Sequence, residues 1–136
     1  MLKAGVGRVD ITPPVGVAHG GWGAQTHEVS IGNDMPLLVT AVVVSNGDVD
    51  LAIVDVDIGI FTGDQDRKIR DLISEGSGIP FTHIRLSYSH THSGPITFGQ
   101  WIKEGIDLAN EWLSLIHISE PTRRYAIAGA GVGGGK

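Results

Sequence analysis

The sequence has 136 residues, which is enough for one domain with a single core but not for two full-sized domains. Ten Lys and Arg stand against fifteen Asp and Glu, and this net charge of −5, without a basic stripe, excludes a protein that binds nucleic acid through its phosphates. The absence of cysteine excludes a disulfide framework, a thiolate zinc site and a cysteine nucleophile, and no apolar run is as long as a membrane span.

The first sixty residues have the pattern of strands and loops. Residues 6–11 alternate like a strand, and four glycines in residues 16–23 predict a loop. Residues 37–44 (LLVTAVVV) and 51–60 (LAIVDVDIGI) are mostly apolar, and the Asn-Gly turn at residues 45–48 predicts that they form an antiparallel hairpin. Because both runs are almost continuously apolar, we expect both faces of this part of the sheet to be covered.

Residues 64–75 predict a helix, because Ile69, Leu72 and Ile73 fall at helical spacing while the charged residues occupy the other, solvated face. Residues 82–88 alternate again and predict the next strand. The order of strand, hairpin partner, helix and strand predicts an α/β fold. We expect a mixed β-sheet with flanking helices, in which the strands near 37–44, 51–58 and 82–88 are central.

The end of the sequence has a different character. Residues 113–123 (LSLIHISEPTR) resemble the translation of a sequencing-library adapter, so residues 1–112 are interpreted as the genuine domain and 113–136 as a chimeric tail that forms no domain. We expect few long-range contacts from this tail and assign no ligand role to His117. Glycines at 129, 131 and 134 satisfy a G-x-G-x-x-G pattern, but no helix and no later acidic residue accompanies it.

The segment His90-Thr91-His92 contains the clearest chemical signal. Residues two apart in an extended chain point the same way, so both imidazoles are expected on one side at the end of a strand. Imidazole is a frequent ligand of Zn²⁺. Ser93, Gly94 and Pro95 then turn the chain, as is typical where a strand end opens into a pocket. The spacing indicates half of a metal site, although His-x-His also occurs on ordinary surface strands.

Other candidate residues have weaker signals. Asp55 and Asp57 are two apart at the end of an apolar strand, where a carboxylate must be paired, hydrogen-bonded or metal-bound. Capping of a helix or a loop is the favoured interpretation for both, and a metal contact remains open. The spacing of His19 and His27 assigns them no function. Trp22, among glycines, is either a pocket wall or a loop anchor.

Four blocks of the sequence resemble the neutral, non-lysosomal ceramidase family, in the family's order and across residues 4–100. They are GVGRVDITPPVGV (5–17), NDMPLLVTAVVV (33–44), LAIVDVDIGIF (51–61) and IRLSYSHTHSGP (84–95). The last block is the most specific, since it is close to the family's T-H-T-H-S-G-P metal motif. The sequence departs from the family in that Met35 splits an Asp-Pro pair, Thr40 stands where Arg is frequent, and Ser89 replaces a common Thr.

The resemblance implies the N-terminal part of a larger, layered α/β catalytic domain of a zinc-dependent amidase, which hydrolyses the N-acyl bond of ceramide-like lipids. In the implied site, His90 is a zinc ligand, and His92 is the catalytic group beside the metal that helps to hold the substrate or the oxyanion. Gly21 and Trp22 lie at the acyl entrance, and Asp57 and Ser93 lie around these residues. The family takes its remaining ligands (His, Glu and Tyr) from much further along its chain, so this chain is expected to be inactive by itself.

Three alternatives remain open from the sequence. His-x-His is also the first metal motif of amidohydrolase barrels, but there it lies near the first strand, whereas at least three predicted strands precede it here. The two histidines can also be polar strand-end residues of a binding or structural module. A nucleotide-binding protein would depend on residues 129–136 alone. The start shows no signal peptide, although relatives are often exported, so the compartment stays open, as does the oligomeric state.

Overall fold

The computed structural model describes residues 1–21, 23–97 and 102–119, with only the backbone for residues 116–119. The elements are β1 (Lys3–Asp10), β2 (Leu38–Ser45), β3 (Asp50–Val56), α1 (Gly63–Ser77), β4 (Ile84–Tyr88) and α2 (Ile106–Ser119). The strands form one sheet in the order β1-β2-β3-β4, in which β3 and β4 are parallel and the other neighbours are antiparallel. The predicted α/β class with a mixed sheet and flanking helices is confirmed. The expectation that the strand near 82–88 is central is wrong, because β4 pairs only with β3 and lies at the edge of the described sheet.

The β2–β3 hairpin forms where the Asn-Gly turn predicts it. The side-chain oxygen of Asn46 accepts hydrogen bonds from the backbone N–H groups of Asp48 and Val49, at 2.9 and 2.8 Å. Gly47 has φ of +102°, which an L side chain rarely adopts. This local chemistry fixes the register, in which Val42 lies opposite Ile53 and therefore shares its face of the sheet.

One face of the sheet carries the core and the other is exposed. The core includes Val39, Val54, Val56 and Ile84 from the sheet, packed with Ile69 of α1. The opposite face presents Val6, Leu51 and Ile53, whose exposed fractions are 69%, 48% and 45%. The expectation that both faces are covered is wrong. Apolar side chains on a strand can remain exposed to solvent, so their presence does not show that a second layer packs on that face.

Helix α1 is delimited by caps at both ends. The Thr62 hydroxyl accepts from the N–H of Gln65, whose side chain in turn accepts from the N–H of Thr62. Its charged face is not wholly solvated, since Asp66 and Arg70 are half-buried and ion-paired. Asp66 also accepts a 2.7 Å hydrogen bond from the hydroxyl of Tyr88. Burial, together with this hydrogen bond, raises the pKa of the tyrosine. The helix is thereby attached to the last residue of β4.

Helix α2 packs against the segment that follows β1. It begins after Gly105, which has φ of +69° and whose carbonyl accepts from the N–H of Ala18 at 3.0 Å. The indole N–H of Trp112 donates a 2.7 Å hydrogen bond to the carbonyl of Ile11, and Leu113 is buried in the same core. Neither described helix is long and apolar enough to cross a membrane.

The position of α2 bears on the predicted tail. The helix continues without a break through residue 119, and Leu113 is only 8% exposed. Leu113 therefore packs in the core beside Trp112, and the expectation of few long-range contacts from the tail stays a prediction for the rest of it. The division of the chain into 1–112 and 113–136 stays a prediction. The glycine pattern at 129–134 lies outside the described residues.

Candidate functional site

The motif lies at the carboxyl edge of the parallel strand pair. Val56, the last residue of β3, is in register with Tyr88, the last residue of β4. The N–H of Ser89 then donates to the carbonyl of Val56 at 3.1 Å and holds the start of the turn against β3. Ligands of open α/β sheets bind beyond this edge of parallel strands. The structure thus places the motif where a site is expected.

His90 has a fixed orientation. Its Nδ1 lies 2.7 Å from the carbonyl oxygen of Gly59. Because a carbonyl oxygen can only accept, Nδ1 must carry the hydrogen, and in the neutral ring Nε2 then holds the lone pair. Metal-bound histidines usually donate their second N–H to such a carbonyl or to a carboxylate. Gly59 therefore orients His90 in the manner of a metal ligand, a feature that the sequence did not reveal.

The two imidazoles of the motif lie together. The ring centroids of His90 and His92 are 5.2 Å apart, the ring planes are nearly perpendicular, and both residues are exposed. The expected reason, alternation along an extended chain, is wrong: β4 ends at Tyr88, and His90 has φ of +55°. A left-handed residue followed by a turn brings the rings together instead. The roles of His90 and His92 remain predictions.

Two side chains next to the imidazoles line a cavity. Thr91 and Ser93 line a cavity of about 450 Å³ that His19, His27 and Asp57 also line. The described part of the chain places neither imidazole of the motif in this lining. Asp57 therefore lies in the wall of this cavity, and its predicted grouping with the two imidazoles of the motif remains a prediction.

Asp57 combines a structural contact with a place in the cavity wall. Its Oδ2 accepts from the N–H of Leu38 at 2.9 Å, and its own N–H donates to the carbonyl of Leu38. These bonds join the start of β2 to the end of β3, so the carboxylate has a structural hydrogen-bond partner. Its other oxygen, Oδ1, is the acceptor in none of the hydrogen bonds found among the described residues. Asp55, by contrast, accepts from the Ser87 hydroxyl at 2.9 Å.

His19 is a cavity residue that the sequence analysis did not identify. Its backbone forms an isolated bridge with Pro95, directly after the motif, and its N–H donates to the carbonyl of Glu28 at 2.7 Å. Its ring stacks on that of His27, with centroids 5.5 Å apart. Burial lowers the pKa of His19, and the neighbouring His27 lowers it further. Nδ1 of His19 is buried without a hydrogen-bond partner.

The remaining predicted residues occupy turns. Gly21 is exposed with φ of +90°, and its N–H donates to the side-chain oxygen of Gln25 at 3.0 Å. Ser93 donates its N–H to the Thr91 hydroxyl at 3.0 Å, which tightens the turn after the imidazoles. Trp22 lies outside the described residues. The substrate-binding roles predicted for Gly21 and Trp22 therefore remain predictions.

The donor set at the motif is incomplete for zinc. Zinc sites in proteins use three or four protein ligands. Across residues 1–21, 23–97 and 102–119, no group of three or more His, Cys, Asp or Glu side chains is placed to hold a metal ion. His90 and His92 supply two imidazoles, and the first is correctly oriented. They fit a zinc site in chemistry but do not complete one.

Comparison with known proteins supports the fold. No protein-family model matches the chain, and no curated protein shows significant similarity to it. Among solved structures, the fold is similar to that of neutral ceramidase from Pseudomonas aeruginosa, with a TM-score of 0.55 and 23% sequence identity. The similar region covers 71% of this chain, and the chain spans only 16% of the length of that ceramidase. The chain therefore has a ceramidase-like fold.

Proposed function

We propose that this chain supplies the first part of the metal site of a zinc-dependent amidase that hydrolyses the N-acyl bond of ceramide-like lipids. The hydrogen bond from His90 to the Gly59 carbonyl carries the proposal, because it leaves Nε2 free to bind a metal beside His92. The ceramidase-like fold supports it. A zinc ion bound in such a site supplies water activation and polarises the acyl carbonyl.

The proposal assigns different roles to the two histidines. His90 is the zinc ligand, since its Nδ1–H is committed to a carbonyl and its tautomer is thereby determined. His92 is exposed beside His90, with the two ring planes nearly perpendicular, and the proposal assigns it the contact with a substrate at the metal. Because two donors do not complete a zinc site, we derive no catalytic step from this chain alone and expect no hydrolysis by it.

A zinc titration observed by NMR of the imidazole resonances tests the proposal. We expect weak binding that shifts the resonances of His90 and His92 and leaves those of His19, His27 and His83 unchanged. In the control variant His90→Asn, asparagine accepts the left-handed backbone but cannot replace the imidazole as a ligand, so the shift of His92 should decrease strongly. Shifts at His19, His27 and His83 equal to those at the motif, or none at the motif, would contradict the assignment.

An activity assay tests the incompleteness of the site. A fluorogenic N-acyl amine, incubated with the zinc-supplemented chain, should be hydrolysed no faster than in buffer. Hydrolysis that His90→Asn abolishes would show that the residues of this chain suffice, and the argument from ligand number would then be wrong.

A binding module without catalysis is the second candidate. The 450 Å³ cavity favours it, because its volume is typical of small-molecule sites and it does not include the imidazole pair. Zinc binding distinguishes the candidates, since such a module needs no specific metal site at His90.

A further inference from the structure

The segment that follows the motif returns to the loop that orients His90. This loop joins β3 to α1 over residues 57–62 and supplies the Gly59 carbonyl that accepts from His90. Further along the chain, the Thr97 hydroxyl donates a 2.9 Å hydrogen bond to the carbonyl of Ile60, the residue directly after Gly59. The segment therefore contacts the same loop twice, once through the imidazole of His90 and once through the hydroxyl of Thr97.

Gln65 of α1 attaches this second contact to the helix. Its Nε2 donates to the carbonyl of Thr97 at 3.3 Å, while its Oε1 accepts from the N–H of Thr62 in the N-terminal cap. The side chain is half-buried, and both ends of its amide are used. Helix α1 thus holds Thr97 through Gln65, and Thr97 in turn holds the backbone at Ile60.

The carbonyl of Gly59 depends on such support. Glycine restricts its own backbone less than any other residue, so the peptide group that carries this carbonyl can rotate. A Cβ at Gly59 would lie 3.3 Å from the carbonyl oxygen of Thr91, so the approach of the motif leaves little room for a side chain that would restrict the rotation. Burial of Ile58 and Phe61 fixes the path of the loop but not the direction of a carbonyl. The hydrogen bond to Ile60 fixes the next peptide group and thereby limits the rotation.

We propose that Thr97 and Gln65 are positioning residues for His90. They hold the Gly59 carbonyl where it accepts from Nδ1, and the neutral ring then keeps its lone pair on Nε2. Both residues act through the backbone of the β3–α1 loop, not by contact with a metal or a substrate. The inference deepens the proposed function and rests on it for the role of the free Nε2.

The tautomer of His90 in the metal-free chain tests the inference. Long-range proton–nitrogen correlation NMR spectra, recorded in EDTA at about pH 8, distinguish the Nδ1–H from the Nε2–H form of a neutral imidazole. The variant His90→Asn identifies the signals of His90 by their loss. We expect the Nδ1–H form to predominate in the unaltered chain. Thr97→Val removes the donor to Ile60 with little change in side-chain shape. It should lower the ratio of the Nδ1–H to the Nε2–H form about five-fold, which corresponds to the loss of one net hydrogen bond.

Three further variants separate positioning from general effects on the fold. In Gln65→Glu, the carboxylate still accepts from the N–H of Thr62, so the helix cap is preserved, but it has no N–H to donate to Thr97. This variant should lower the ratio in the same direction. Thr97→Ser keeps the hydroxyl and should keep the ratio of the unaltered chain. Thr82→Val makes the same change as Thr97→Val at an exposed threonine before β4 and is the matched control, which should change nothing.

Far-UV circular dichroism shows which variants are folded, and Gln65→Glu decides the question alone if Thr97→Val unfolds. An unchanged His90 tautomer in the folded variants would overturn the inference. An equal decrease in Thr97→Ser or Thr82→Val would overturn it as well. The zinc titration separates this failure from that of the proposed function. Zinc-dependent shifts at the motif without a tautomer response would refute only the inference, whereas a tautomer response without such shifts would refute only the proposed function.

Discussion

Truncation of two leucines in α2 tests whether this helix belongs to the folded domain. Leu113 is 8% exposed and lies in the main core, whereas Leu115, two residues later, is 58% exposed. The substitutions Leu113→Ala and Leu115→Ala remove the same atoms from the same helix. They differ only in what surrounds those atoms, so each is the control for the other.

The expected effect follows from burial. Leucine to alanine removes three carbon groups, each worth about 0.8 kcal/mol when buried, and the cavity left behind raises the total at Leu113 to about 3 kcal/mol. At Leu115 most of this surface already contacts water, so the expected loss is below about 1 kcal/mol. Because total stability is roughly 5–15 kcal/mol, the first loss is a large fraction of it.

Urea denaturation followed by far-UV circular dichroism and tryptophan fluorescence measures both values. Leu113→Ala should also lower Tm by roughly 10 °C. A helix that is foreign to the domain would give the same small effect at both positions. Equal effects would therefore refute the docking of α2 and support a domain that ends near residue 112.

Three further predictions concern the elements that position the site. Gly105→Ala should decrease the free energy of unfolding by about 2 kcal/mol or more, as measured in urea, because φ of +69° and the backbone of residues 16–18 leave no room for a Cβ. Thr12→Val should cost about 1–3 kcal/mol in the same assay, because the N–H of Leu37 loses its 3.0 Å acceptor; an unchanged midpoint would contradict this. The pKa of His19 in the folded state is below the ordinary 6.5, so the unfolded chain binds more protons just below that value, and stability should decrease as the pH falls below 6.5. His19→Gln should flatten this decrease in thermal melts between neutral and mildly acidic pH, and an equally steep decrease in the variant would show that other groups cause it.

The parts of the fold that were predicted correctly depend on neighbours in sequence. The strands near 37–44 and 51–58 are joined by an Asn-Gly turn whose conformation is local, and residues 64–75 have both the period and the cap of a helix. Sequence alone did not reveal which face of the sheet stays exposed, because the exposure of Ile53 depends on where distant elements pack.

The candidate site shows the same division. The position of the motif after β4 was predictable, because a strand pattern precedes it. Three features were not predictable. The carbonyl that accepts from His90 is 31 residues away in sequence, and His19 pairs with Pro95 across most of the domain. A histidine, unlike a glycine, also gives no sequence signal for the left-handed backbone at residue 90. Each depends on tertiary contacts between segments that are separate in sequence.

The left-handed backbone of His90 has an evolutionary consequence. A residue with a Cβ at φ of +55° costs roughly 1 kcal/mol that glycine would not. If the imidazole had no role, mutation to glycine would relieve the strain and would therefore be favoured over time. Homologous sequences that share this turn should therefore retain histidine if the imidazole has a role, and should otherwise accumulate glycine or asparagine at this position before the surrounding strands diverge.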